Sequence, residues 1–481
     1  MSRLSALSIL FLICATIQCR AQIPEPAFPQ DDTFNASFAV PPWSEVQSQI
    51  DSIGLDNATV SAVEVAIGFE RSNWAGYSIL SDQFYLDIPS NASTAPAGSI
   101  LKVENYTNST LYTIPPNTAL SRFLFQTENA NGTVIPASAY ILWPWSPRKF
   151  NGIIGYPVVS WAHGTSGQAG ECAPSHIRNL WYQYSAPYVL ALQGYVVVAP
   201  DYAGLGVDHD FSGKHIPHQY YVNQAAANDL VCAVQAAQRA YPQLSKEFVV
   251  MGHSQGGGAA WAAAQRQAEK PIPGYLGTIA GSPATHYLLP LAYNSLLPLI
   301  GQALSSIYPT FSLGDWLTPV GVARENLLQT LQGCQSTRLE LLSSLSPSQL
   351  ISPTWNSTWY FTAFMKLIQT GGRPIAEPML VLQGTADSAV LPNTTTQAVN
   401  DTCNAYPDSQ IEYAMYEGAD HVPTLYASQR DWLDWIAARF SRGKVAKGCI
   451  QELHSPSLPV EAYQKEGNYF LEYALYGYEV A

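Results

Sequence analysis

The sequence predicts an α/β fold, with a mostly parallel central sheet, helices on both faces and an inserted helical cap. Three observations carry this. Short β-rich apolar runs without polar alternation recur from Tyr156 onward, as expected of strands buried on both faces. Helical stretches separate these runs, which is the rhythm of a parallel sheet covered by helices. One long interruption, 285–372, is apolar and helical in tone but contains no clear strand.

Taken in order, residues 1–21 read as a signal peptide. Arg3 is the positive n-region, Leu4 to Ile17 is broken only by Ser5, Ser8 and Thr16, and Cys19-Arg20-Ala21 places cleavage after Ala21. Residues 22–100, rich in Pro, Ser, Asn and Asp, are expected to be a mostly irregular lead-in with short helices, packed on the core. The first part of the core is expected over 101–284. It opens with a hairpin, Leu120 to Leu142 around Asn129-Ala130-Asn131-Gly132, forming an antiparallel edge. Tyr156–Trp161, Tyr195–Pro200, Phe248–Met251 and Tyr275–Ala280 follow as core strands, with a helix over Ala225–Tyr241. The cap spans 285–372. The second part of the core, 373–450, holds Met379–Gln383 and Ile411–Tyr416, and 451–481 is a tail.

Composition narrows the function. Of 481 residues, 47% are hydrophobic and 12% charged, so a large core can be buried. The net charge of -13, without a Lys/Arg stripe, excludes a nucleic-acid partner. No segment beyond the leader reads as a transmembrane anchor. Asn-x-Ser/Thr sequons start at Asn35, Asn57, Asn91, Asn105, Asn108, Asn131, Asn356, Asn393 and Asn400, a density that fits a secreted, extracellular chain. Without the leader, Cys172, Cys232, Cys334, Cys403 and Cys449 remain. An odd number allows two disulfides and one free thiol, and Cys232, in an apolar helical setting, is the candidate thiol. No Cys/His pattern implies a metal.

The chemistry concentrates at Gly252-His253-Ser254-Gln255-Gly256, which follows a β-run and precedes an Ala-rich helix. A nucleophilic serine needs such a turn: glycines where strand and helix nearly touch, and a helix N-terminus behind the developing charge. It also needs a base oriented by an acid, in the chain order Ser, Asp, His. Asp387 follows a buried strand; Asp401, Asp408 and Asp420 follow none, and Asp420 directly precedes the histidine. His421 also follows a β-run. His454 lies in a Pro/Ser-rich tail with no strand before it, and His253 is expected to pack beside the elbow. His209, His215 and His218, near Asp208 and Asp210, are expected to be solvent-facing loop residues rather than metal ligands. For a tetrahedral oxyanion, the Gln255 amide is one donor; the loop after the first parallel strand supplies the other, Thr165 first and Gly164 second.

These motifs carry a resemblance. His163-Gly164-Thr165 leading to Cys172-Ala173-Pro174-Ser175, then Pro200-Asp201-Tyr202-Ala203-Gly204-Leu205-Gly206, then the Gly252–Gly257 elbow, resemble the fungal-type secretory lipase family of the α/β-hydrolase fold over roughly residues 100 to 445. The resemblance implies a helical cap, hydrolysis of triacylglycerols or related acyl esters without a cofactor, and a triad of Ser254, Asp387 and His421. It also implies disulfides Cys172–Cys334 and Cys403–Cys449. The expected partner is an ester or lipid substrate, with transient contact to a lipid interface through the cap. The rivals are a carboxylesterase or deacetylase for short-chain or natural-product esters, a serine peptidase, and a non-catalytic binding protein on the same fold.

Overall fold

The computed structural model describes residues 43–291 and 296–465. The expected signal peptide, the lead-in as far as residue 42 and the tail from residue 466 lie outside the described residues.

Ten strands form one sheet: β1 (Ile100–Glu104), β2 (Ala119–Glu128), β3 (Val134–Trp143), β4 (Tyr156–Ala162), β5 (Val196–Pro200), β6 (Leu244–His253), β7 (Tyr275–Gly281), β8 (Met379–Gly384), β9 (Ile411–Tyr416) and β10 (Cys449–His454). Their order is β1-β2-β3-β5-β4-β6-β7-β8-β9-β10. The first three are antiparallel, β3 also meets β5 antiparallel, and every pairing from β5 to β10 is parallel. This is an α/β-hydrolase sheet with an antiparallel edge.

The parallel strands are apolar throughout because both faces are covered. On one face Val158, Val196, Val198, Phe248 and Val250 pack under helices Asn223–Ala240 and Gln255–Glu269. Alanines on both helices (Ala233, Ala236 and Ala237; Ala259, Ala260 and Ala263) let them lie close to the strands, and the buried Trp261 fills the remaining space. On the other face Val159, Trp161, Val197, Val249, Met251 and Ile279 pack against Trp432, Trp435, Ile436 and Phe440 of helix Gln429–Phe440. Strand alternation sends neighbouring residues to opposite cores.

Two strands escaped the sequence reading. β10 is exposed along most of its length, so no apolar run announces it; it adds to β9 by backbone pairing, Cys449 opposite Ile411 through His454 opposite Tyr416. His454 therefore ends a strand, contrary to expectation. β1 is a half-buried edge of five residues. The lead-in is also more ordered than expected. Helices Trp43–Ile53 and Asn57–Ser72 bury Val46, Ile50, Val63 and Ile67 against Leu327, Leu328, Leu331 and Leu341, which belong to the interruption rather than the sheet. Ile79, Phe84 and Tyr85 dock on the sheet edge at Leu124.

Between β7 and β8 the chain forms helices Leu297–Ile307, Pro319–Leu331, Gln335–Ser343 and Trp359–Leu367, and no strand among the described residues. Their own core centres on Leu297, Ile300, Leu304, Trp316 and Phe364. Disulfides Cys172–Cys334 and Cys403–Cys449 are both present, and Cys232 is free and buried. The first ties this helical insertion to the loop after β4; the second ties β10 to helix Pro392–Ala405.

Candidate active site

Ser254 sits between the end of β6 and helix Gln255–Glu269 with φ 60° and ψ −121°. An L residue with a side chain disfavours this region by about 1–3 kcal/mol, so the surroundings must enforce it. They do so through the backbone. The Ser254 N–H donates to the Gly281 carbonyl (3.0 Å), and its own carbonyl accepts from the N–H groups of Ala284 (2.9 Å) and Gly258 (3.1 Å). The two elbow glycines answer a close approach. A Cβ on Gly252 would run into the Gly256 carbonyl, and one on Gly256 into that of Ala162.

Asp387 lies just beyond β8 and His421 just beyond β9. His421 Nδ1 is 2.9 Å from Asp387 Oδ2, with the carboxylate fully buried. The other carboxylate oxygen accepts the backbone N–H groups of Ala389 (3.0 Å) and Val390 (2.8 Å), while Gln383 Nε2 donates to Oδ2 (3.1 Å). Burial alone would raise the pKa of Asp387; the facing imidazole, its hydrogen bond and the Val390 amide outweigh it, and the carboxyl is held below its ordinary value. Asp420 serves the scaffold instead. It accepts from the Ser388 N–H (2.9 Å) and the His421 N–H (2.8 Å), stapling the two loops together.

Ser254, Gln255 and His421 line one cavity of about 400 Å³. Thr165, Trp181, Tyr182 and Tyr221 form part of its wall, and Leu288, Leu296 and Leu339 approach from the β7–β8 insertion. Gln255 is the first residue of its helix, so its N–H has no carbonyl within the helix to bond and points to the turn in front of it. Thr165 borders the same space, with its hydroxyl 2.8 Å from that of Tyr220. Gly164, the second choice as donor, is not among the lining residues. It lies beneath the Tyr182 hydroxyl, which a Cβ there would strike. A serine on a strained turn, a carboxylate-held imidazole and helix-start amides around one cavity can together support acyl transfer.

Residues 179–424, just over half of the chain, match the model of a hydrolase family described as serine aminopeptidase, S33. The chain belongs to this family, Hydrolase_4. It is a serine hydrolase of the α/β-hydrolase fold. No curated protein matches it significantly in sequence. Among solved structures it is similar to Candida antarctica lipase A, with a TM-score of 0.61 at 16% identity over 80% of this chain and 92% of that one. It is also similar to a ligand-bound form of the rice cell wall degrading esterase LipA from Xanthomonas oryzae (TM-score 0.54, 19% identity, 72% and 98% covered). A protein from Legionella pneumophila gives a TM-score of 0.58 at 17% identity over 72% of this chain and 99% of that one. At these identities the structures speak for the fold.

In the Hydrolase_4 core of this chain two buried histidines, His218 and His253, lie behind the elbow. His218 was expected to face solvent with His209 and His215; it is 5% exposed. Its Nδ1 faces the Ala203 carbonyl (3.1 Å), and the Gln255 side-chain amide reaches its Nε2 (3.2 Å), so it helps to hold the elbow. Burial pushes its imidazole down to about 4, and a neutral ring is what this pairing requires. The reason for the difference lies in the loop after β5. There Asp201 accepts from the hydroxyls of Ser138 and Ser175 (both 2.6 Å), and Asp229 accepts the Ala203 N–H (3.0 Å). These bonds pin Pro200–Gly206 against the core, and His218 stacks on Tyr202 with ring centroids 5.9 Å apart. His209 and His215 form an isolated bridge at the surface, and no group of three or more metal-ligating side chains occurs among the described residues.

His253 packs beside the elbow, as its position predicted, and bonds in both directions: to the Tyr182 hydroxyl through Nδ1 (2.7 Å) and to the His421 carbonyl through Nε2 (3.1 Å). Tyr182 was not singled out from sequence. It belongs to a non-glycine run, Leu180–Gln183, with positive φ throughout, and no glycine or motif marks that turn.

Proposed function

We propose that this protein is a secreted carboxylic ester hydrolase of the lipase type, working through an acyl-enzyme on Ser254. The carrying observation is the His421–Asp387 pair at 2.9 Å, with His421 sharing a cavity with Ser254. In this reading His421 removes the Ser254 proton as the hydroxyl attacks the ester carbonyl. The amides of Gln255 and Thr165 receive the oxyanion. The alcohol leaves with the proton from His421; water, activated by the same imidazole, then releases the acid. Asp387 holds the tautomer and balances the imidazolium.

Apolar side chains from the β7–β8 insertion support an acyl pocket beneath a cap. Exposed Trp359 and Val320 on that insertion support brief contact with a lipid surface. Among the described residues no helix is long and apolar enough to cross a membrane. The leader, the sequons and the two disulfides support secretion. A second reading, a carboxylesterase for short-chain or natural-product esters, is favoured by the cavity's modest volume and its Trp181, Tyr182, Tyr220 and Tyr221 walls. Aminopeptidase activity, which the family description names, would need an anionic group to receive the substrate ammonium. The described lining residues include no Asp or Glu, and they include Arg338, a cation.

Hydrolysis of p-nitrophenyl esters from acetate to palmitate, and of emulsified triolein, tests this alongside Ser254→Ala. Loss of all turnover in the variant is expected, and the chain-length optimum separates lipase from short-chain esterase. Equal turnover by both proteins would overturn the mechanism.

A further inference from the structure

β1 is a sheet edge without the usual protection. It ends the sheet and pairs with β2 alone, so among the described residues its outer backbone groups have no strand partner. Such an edge templates pairing with another chain, and proteins commonly block it with a lysine, another charge or a proline. Ile100–Glu104 holds no proline, and both of its charges are engaged elsewhere. Lys102 Nζ donates to the carbonyls of Gln83 (2.7 Å) and Asp87 (3.3 Å) in the lead-in. Glu104 accepts from Arg122 Nε and Nη2 (both 2.9 Å). Apolar side chains remain at the surface: Val103 on the strand and, two residues past its end, Tyr106, which is 93% exposed.

Two sequons follow the strand directly, Asn105-Tyr106-Thr107 and Asn108-Ser109-Thr110. The first is pinned to the sheet: the Asn105 carbonyl accepts the Ser121 hydroxyl (2.7 Å), and the Thr107 N–H donates to the Leu120 carbonyl (3.0 Å). In the second, Asn108 Oδ1 accepts the N–H (3.2 Å) and hydroxyl (2.8 Å) of Thr110, so the side-chain oxygen is held by the turn and the nitrogen is left to solvent. Apart from Asn35, which lies outside the described residues, every sequon asparagine is exposed; Asn73, Asn129, Asn179, Asn223 and Asn228, among those that begin no sequon, are buried or half-buried.

We propose that Asn105 and Asn108 carry N-linked glycans that cover the β1 edge and keep it from pairing with another chain. This rests on the proposed secretion of the protein, not on its ester chemistry. In each transfer the asparagine Nδ2 bonds to the anomeric carbon of an oligosaccharide borne on a polyprenyl diphosphate. The bond from that carbon to the diphosphate breaks, the diphosphate leaves with the electron pair, and the amide gives up one proton. A glycan is bulky and solubilising, so two of them beside a five-residue strand exclude a second backbone and shield Tyr106.

Glycopeptide mapping of the full chain, produced in a eukaryotic secretory host, measures occupancy at each sequon. Glycans on Asn105 and Asn108 are expected. Asn393 and Asn400, on helix Pro392–Ala405, provide the comparison. Glycans there with Asn105 and Asn108 bare overturn the proposal and leave secretion standing; a chain without any glycan overturns both. Size-exclusion chromatography tests the shielding. Asn105→Gln with Asn108→Gln is expected to shift from the wild-type elution position to larger species, while Asn393→Gln with Asn400→Gln stays at it. Adding Val103→Lys to the first pair puts a charge on the bare edge and should restore the wild-type position. An unchanged position for the first pair, an equal shift in both pairs, or no rescue by Val103→Lys overturns the shielding role. If the first pair is not secreted, enzymatic removal of the glycans from folded wild type and from folded Val103→Lys decides. Larger species from the wild type alone are expected, and the same behaviour from both overturns the assignment.

Discussion

His253 Nε2 lies 3.1 Å from the backbone carbonyl of His421, and the two rings stack at an angle with centroids 4.4 Å apart. The histidine before the elbow thus supports the loop that carries the proposed base. Burial, followed by the neighbouring His421, pushes its imidazole well below the ordinary value, so it stays neutral with one N–H to donate. Its other nitrogen accepts from Tyr182. His253 is in this sense a positioning residue. In His253→Phe the ring volume remains and both hydrogen bonds are lost. A kcat about 10- to 100-fold lower with KM within about threefold is expected, since small misplacements of a catalytic group cost that much. A loss confined to KM, or to thermal stability with kcat intact, would count against positioning.

Asp387 is expected to matter more than any other group apart from Ser254 and His421. Asp387→Asn preserves size but offers His421 Nδ1 an amide that can stabilise the wrong tautomer. Loss of kcat by about ten-thousand-fold is expected at neutral pH, as for an acid in this role elsewhere. Stopped-time assays with a p-nitrophenyl ester measure it; a loss below about tenfold would remove Asp387 from the mechanism.

Stability should depend on pH with two opposed contributions. His163, His218 and His286 are each pushed down to about 4 by burial. Between their ordinary value near 6.5 and about 4 the unfolded chain binds protons that the folded one refuses, so stability falls as pH drops through that window. Asp229 works the other way. Burial raises it to about 7, against hydrogen bonds from Thr127 and Ala203. Between about 4 and 7 the folded chain keeps a proton that the unfolded chain has lost, so its contribution declines as pH rises through that range. An Asp229→Asn variant can still pair with the Thr127 hydroxyl and the Ala203 N–H. Its Tm relative to wild type should therefore improve from pH 5 to pH 8. A Tm difference that does not change with pH would show that Asp229 is ionised throughout.

The two disulfides should differ in their consequences. Cys172–Cys334 closes a sequence separation of 162 residues and Cys403–Cys449 one of 46, so chain entropy makes the first the more stabilising, each within roughly 2–5 kcal/mol. The first also holds helix Gln335–Ser343 against the loop that carries Thr165. Cys172→Ser with Cys334→Ser should lower both Tm and ester turnover, while Cys403→Ser with Cys449→Ser should lower Tm alone. Equal loss of turnover in both pairs would refute that division.

The sequence by itself determined the central parallel strands, because burial on both faces leaves runs such as Val196–Pro200 apolar and easy to recognise. It also marked Ser254, Asp387 and His421 as the candidate triad, because a tight strand-to-helix turn demands glycine spacing and the other two follow apolar strands in a fixed chain order. The tertiary structure decided what carries no local pattern. β10 is an exposed edge whose pairing is made by backbone groups alone, and the Leu180–Gln183 turn holds positive φ without a glycine. His218 looked like a surface histidine until the Asp201 and Asp229 anchors drew its loop against Gln255. Arg338, more than eighty residues from Ser254 in the chain, reaches the same cavity because a disulfide and a buried carboxylate fix its helix there. Local residue patterns record the face a segment buries; only the packed chain records which distant side chains share that space.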